Sequence, residues 1–194
     1  MDTRTFFVPI EDDNVPRKLM SRVINWRKMA SNMGYEGPVV WRVCQGFTLK
    51  WHAPLAGPCL NNFDHLQDWS LEKDETTQSA LVFFIPRVVT ETLGRVESDQ
   101  ARILAGVRIK YSLPKHHLTS FGSAGLLAGL LLAHVRHFSD KSSLDRFAAR
   151  TDTIRGQDQK FLGLHFDEDS LNCCDGESVC DRSVGVFPLA AEPC

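Results

Sequence analysis

Arg150–Phe166 reads RTDTIRGQDQKFLGLHF, and this stretch decides the class of fold. Its two limbs, Arg150–Ile154 and Phe161–Phe166, flank Arg155-Gly156-Gln157-Asp158. Short runs of β-branched and aromatic residues either side of a glycine-bearing turn form a β-hairpin. Leu171–Cys174 and Ser183–Phe187 repeat the pattern around Asp175-Gly176, so an antiparallel meander is expected over 149–188. Further upstream, Val39–Cys44 and Phe47–Trp51 flank Gln45-Gly46 and predict a hairpin over 39–51. Leu81–Ile85 is an uninterrupted apolar run ended by Pro86, which reads as a buried strand. Residues 1–10 read as extended, with an edge strand among them.

The helices sit between these strands. Pro16 to Met33 carries Leu19, Met20, Val23, Ile24 and Met33 as a broad apolar stripe, with Trp26 and Met29 at its flanks. Pro16 suits a first helical position, where its missing N–H costs nothing. Glu11, Asp12 and Asp13 precede it, at the positive end of the helix dipole. Ser98 opens a second helix running to about Tyr111. Ser120 or Ser123 caps a third that ends near Phe138. The elements do not alternate strand–helix–strand, so the expected class is α+β: an antiparallel sheet, made from the 39–51 hairpin and the 149–188 meander, packed with three or more helices. Nothing splits the chain, which reads as a single domain over 1–194 with an irregular loop at about 52–79.

Composition narrows the function classes. The chain has 194 residues, 43% hydrophobic and 24% charged, with a net charge of -2. Such a balance exerts no global pull on nucleic acid or anionic lipid. The longest apolar stretch, Ala124–Val135, is too short for the roughly 20 residues that a membrane-spanning helix needs. The start, MDTRTFFVPIEDD, lacks the basic and apolar regions of a secretory signal, so a reducing cytoplasm and reduced thiols are expected.

Charge is unevenly spread. Arg17, Lys18, Arg22, Arg27 and Lys28 make the first helix basic, while Gly163–Cys194 holds seven acids and one base. Each run reads as a solvated face or as a docking surface, and the two could also pair within the fold. A nucleic-acid module using the helix over 16–33 would want more charge and an aromatic platform, so nucleic acid is disfavoured as a partner.

Six segments carry a resemblance: Gly46–Cys59 (GFTLKWHAPLAGPC), Leu66–Trp69 (LQDW), Leu81–Arg87 (LVFFIPR), Leu113–Ser123 (LPKHHLTSFGS), Arg150–Thr153 (RTDT) and Val184–Leu189 (VGVFPL). Together they resemble an uncharacterised group of bacterial proteins from environmental genomes. The resemblance implies a bacterial, cytoplasmic, co-linear domain and transfers no activity.

Three clusters could carry chemistry. Cys44, His52, Cys59 and His65 offer zinc ligands, but no CxxC or HxxxH pair fixes their bite. Cys59 and His52, with His116 or His117 as general base, would instead make a thiol-dependent enzyme. Cys174 and Cys180, with His165, form the second metal candidate. Adjacent cysteines on a strand face opposite ways, so only one of Cys173 and Cys174 can serve it. The third is His116-His117 with Ser120 and Ser123, where Phe121 breaks the GxSxG pattern; His134 and His137, three apart on one helical face, could join these histidines, although Val135 stands where HExxH has its glutamate. No phosphate-cradling glycine motif occurs. The expected function is a non-enzymatic binding or accessory protein acting through its surface on a protein partner. The alternatives are a metal- or thiol-dependent enzyme built on residues 44–65 and a nucleic-acid-associated module.

Overall fold

Among the described residues of the computed structural model, which are 3–70, 76–139, 147–156, 160–175 and 184–193, four α-helices and eight strands make two sheets. The chain runs β1 (Phe7–Ile10), α1 (Met20–Asn32), β2 (Val40–Val43), α2 (Leu49–Ala56), β3 (Ala80–Phe84), α3 (Glu97–Lys110), α4 (Ala124–Phe138), β4 (Ala148–Arg155), β5 (Lys160–Asp167), β6 (Ser170–Asp175), β7 (Val184–Gly185) and β8 (Leu189–Pro193). The first sheet is antiparallel throughout, in the order β1-β2-β3-β8. The second has the order β6-β5-β4-β7. The α+β class stands.

α1 and α4 cover opposite faces of the first sheet. Ile10, Val40, Phe83 and Ala190 lie opposite one another across its four strands and share an apolar cluster with Val23, Trp26 and Met29 of α1. The other face gives Phe7, Trp41, Val43, Val82 and Phe84 to a core that also holds Leu127, Leu130 and Leu131 of α4 and Leu162, Leu164 and Phe166 of the second sheet. α4 is therefore buried between the sheets, as its all-round apolar sequence requires. Gly129 is where it meets β1: a methyl at that position would run into the Phe7 ring. Ser123 is its cap, accepting from the Leu126 N–H at 3.2 Å.

Two strand expectations are corrected. The 39–51 hairpin is absent, since β2 already has β1 on one edge and β3 on the other. No edge is left for Phe47–Trp51, and Leu49–Trp51 instead opens α2, which buries Leu49 and Ala53. Phe47 is held by reciprocal bonds with Thr77. The loop over 52–79 thus hides α2 and a 3-10 turn at Leu60–Leu66.

The meander is real only through β4, β5 and β6. Ile154 opposes Phe161 as the first hairpin requires, although residues 157–159 of its turn lie outside the described residues. The second hairpin is not formed by the described residues: β7 pairs in parallel with β4, and the chain crosses to edge the first sheet as β8, while residues 176–183 of the predicted turn lie outside the described residues.

Candidate functional site

β8 brings Glu192 to the α1 side of the first sheet. The register aligns Val8, Arg42, Leu81 and Glu192 in one row, next to the apolar row under α1. Arg42, Leu81 and Glu192 of that row form the floor of a cleft of about 510 Å³, walled by Pro16, Lys18, Leu19 and Arg22 from the start of α1 and the turn before it. Its lining is mixed, with Ile10, Leu19 and Leu81 apolar and Lys18, Arg22, Arg42 and Glu192 charged.

Glu192 is the hub. Its Oε1 accepts from Arg22 Nη1, lies 2.7 Å from His117 Nε2 and 3.1 Å from His116 Nε2. The loop that carries both histidines is pinned to β8, where the Leu118 N–H donates to the Leu189 carbonyl at 3.2 Å. His117 is fully buried, and Trp26 of α1 donates its Nε1–H to His117 Nδ1 at 3.0 Å. An indole nitrogen can only donate. Nδ1 must therefore be the acceptor, and the neutral ring carries its proton on Nε2, pointing at Glu192. A second proton on Nδ1 would set two N–H groups against each other.

The titration of both groups follows. Burial is the main cause that lowers the His117 pKa from its ordinary 6.5, with hydrogen bonding and attraction to Glu192 opposing it. For Glu192 burial pushes upward, but the hydrogen bonds from His117, His116 and Arg22 outweigh it and hold the carboxyl below its ordinary 4.5. The pair rests as neutral imidazole and carboxylate.

Among the described residues, His116, His117 and Glu192 are the one group of three whose ligand atoms all lie within 4.8 Å. Their hydrogen bonds do not suit a metal. A metal-bound imidazole donates its other N–H to an acceptor. The other nitrogen of His117 instead accepts from Trp26. A cation on Nε2 would require an imidazolate or the loss of that bond, and Arg22 already neutralises the carboxylate.

The other predicted residues disperse. Cys44, His52, Cys59 and His65 do not converge. The His52 ring accepts from the Thr48 N–H at 3.0 Å and packs on Phe6 and Phe47. His65 Nε2 meets the Cys173 carbonyl at 2.9 Å. Cys59 is buried beside Leu171, and burial pushes its thiol up to about 12, so it is no thiolate nucleophile at neutral pH. His134 and His137 lie around Trp41 and Phe138, away from His116 and His117. In the basic helix, Arg22 is paired with Glu192 and Arg27 forks onto both Asp12 oxygens at 2.8 Å. Arg17, Lys18 and Lys28 remain exposed. The acidic run and the basic helix therefore do meet, through Glu192.

The second sheet separates the paired cysteines as strand geometry demands. Cys173 is 1% exposed in the core, whereas Cys174 is half-buried on the opposite face. There its Sγ lies 3.5 Å from His165 Nδ1, and His165 Nε2 lies 3.2 Å from Asp167 Oδ2. Cys180, the proposed metal partner of Cys174, lies outside the described residues.

Sequence reasoning passed over Trp26, Arg42, Glu192 and Asp167. A signal existed for two of them. Arg42 interrupts the apolar run Val39–Val43, and Asp167 stands two places after His165, on the same strand face. No protein family, no curated protein and no solved structure matches the chain. Among the described residues, no helix is long and apolar enough to cross a membrane.

Proposed function

We propose that the chain is a non-enzymatic binding or accessory protein acting through its surface, and that the cleft at the start of α1 is where it binds. The observation that carries this reading is the state of the charges in the cleft. Arg22 and Glu192 neutralise each other, while Lys18 and Arg42 have no ion-pair partner among the described residues. Two uncommitted cations beside Ile10, Leu19 and Leu81 suit an anionic group joined to an apolar body, and the volume is that of a small-molecule or side-chain pocket.

Two of the candidate catalytic groups, His117 and Cys59, are committed elsewhere. His117 is tied at both ring nitrogens, and Cys59 is a buried thiol with its pKa raised. The pairing of Arg22 and Arg27 within the fold counts against the nucleic-acid reading. Residence in a bacterial cytoplasm belongs to the same proposal; the resemblance of the sequence supports it, as do the Cys44 and Cys59 thiols, neither of which is in a disulfide.

The test is titration of isotope-labelled protein with octanoate, octylammonium and octanol, followed by amide NMR shifts. Octanoate should give saturable shifts at Lys18, Leu19, Arg42 and Leu81, and Lys18→Glu/Arg42→Glu should abolish them. Absence of saturable shifts at these residues with all three probes overturns the reading.

A further inference from the structure

We propose that Cys174 is a nucleophilic thiol that exchanges with small disulfides, with His165 as its base and Asp167 as the residue that positions His165. The proposal is independent of the cleft and rests on one face of the second sheet.

The register builds the arrangement. Gly163 opposes Cys174, His165 opposes Asn172 and Asp167 opposes Ser170. Side chains two apart on a strand share a face, so Cys174, His165, Asn172 and Asp167 all lie on the same side. Leu162, Leu164 and Phe166 point the other way, into the core. Cys174 and His165 are diagonal neighbours, a relation that long side chains can bridge. Opposite Cys174, Gly163 has no side chain to stand between the thiol and the ring.

The hydrogen bonds give each group its role. Asn172 Nδ2 donates to Asp167 Oδ2 at 3.1 Å and fixes the carboxylate. That oxygen takes the Nε2–H of His165, which leaves the Nδ1 lone pair toward the thiol. Nucleophile, base and orienting carboxylate then stand in line, the relation that activates a thiol. His165 is 7% exposed, so its ring is held in place, while the thiol is half-buried.

The surroundings select the reaction. The Cys174 thiol is also within reach of the Gly163 carbonyl, to which Sγ donates at 3.7 Å before the proton moves to His165. Acyl transfer needs N–H donors where the oxyanion forms, and a carbonyl there has the wrong polarity. Disulfide exchange needs none, because the developing charge stays on the leaving sulfur. The thiol proton moves to His165 Nδ1, and a bond forms between Cys174 Sγ and one sulfur of the disulfide. The original S–S bond breaks, and the departing thiolate takes the proton from His165. Cys174 is oxidised to a mixed disulfide, and the released half is reduced to a thiol.

The experiment uses the full chain, reduced, freed of reductant and mixed with oxidised glutathione at pH 7. Timed samples are digested, and the glutathione on each cysteine is measured by mass spectrometry. Cys174 should react about tenfold or more faster than half-buried Cys44 in the same sample, as expected for a base-assisted thiol against an unassisted one. His165→Gln should slow Cys174 by about tenfold or more and leave Cys44 unchanged. Asp167→Ala should slow Cys174 as well, whereas Asp167→Asn should recover most of the rate, because an amide oxygen still accepts the His165 Nε2–H. Equal rates at Cys174 and Cys44 overturn the proposal, as does an unchanged rate in His165→Gln. Should His165→Gln fail to fold, the Asp167 pair decides: equal slowing in both variants overturns the positioning role.

Discussion

His117 and His165 are built from the same parts. Each ring has a carboxylate at Nε2 and a donor at Nδ1. The donors differ, and that decides what each histidine can do. Trp26 offers an indole N–H that does not leave under physiological conditions, so it locks His117 in one tautomer. Cys174 offers a thiol proton that can move to the ring and leave a nucleophile behind. Surroundings reinforce the contrast. His117 lies under α1 with no exposed surface and ties a helix, a loop and the last strand together. His165 sits on the polar face of a sheet whose opposite face is core. One histidine holds structure, and the other holds a proton acceptor in readiness.

The largest effect that could break this comparison comes from Glu192→Leu. It strips the acceptor from Arg22 and from the buried His117 Nε2–H, and should cost roughly 3 kcal/mol in urea unfolding, the scale for breaking a partly buried pair by removing one partner. A cost below about 0.5 kcal/mol, within the range of ordinary surface substitutions, would show that the hub does not hold the fold.

A pH series sharpens it further. The folded pKa of His117 lies below its ordinary 6.5. Above pH 6.5 the ring is neutral in both folded and unfolded chains, and its contribution is complete. Below 6.5 the unfolded chain takes up a proton that the folded chain refuses, so stability falls from there toward the depressed folded value. Glu192, also depressed, contributes above its ordinary 4.5 and loses that contribution as pH falls through its folded value. Thermal unfolding from pH 7.5 to 5 should therefore show a falling midpoint, with a shallower slope in His117→Gln. Parallel slopes would mean that His117 protonates freely in the fold.

The smallest effect is on stability at the other histidine. His165→Gln should cost about 1 kcal/mol, the worth of one ordinary hydrogen bond, because its ring joins neighbours already held by the β5–β6 ladder. A loss as large as that of Glu192→Leu would make His165 a structural keystone too, and the contrast between the two sites would dissolve.

What the sequence made legible was local. The β4–β5 hairpin, the Ser123 cap and the opposed directions of Cys173 and Cys174 follow from turn residues, caps and a period of two. The 39–51 hairpin failed for a distant reason: β1 and β3 take both edges of β2, and Gln45-Gly46 cannot report that competition. The cleft was hidden in the same way, since Arg42 and Glu192 meet only through the strand order of the first sheet, with Lys18 brought over them by the turn before α1. Asp167 was in view only as one of the seven acids counted over Gly163–Cys194. Its distance of two from His165 carried the information, and a charge count discards it.

The first sheet has a consequence for how the molecule is made. Its outer strands, β1 and β8, come from residues 7–10 and 189–193, with the whole second sheet between them in the chain. Contacts that join residues so far apart in sequence form late. During synthesis α1 can coil early, but Glu192 reaches Arg22 and His117 only after the other elements described above have been translated. The cleft is then a late product of folding: a ligand that requires it binds only molecules in which β8 has joined the first sheet.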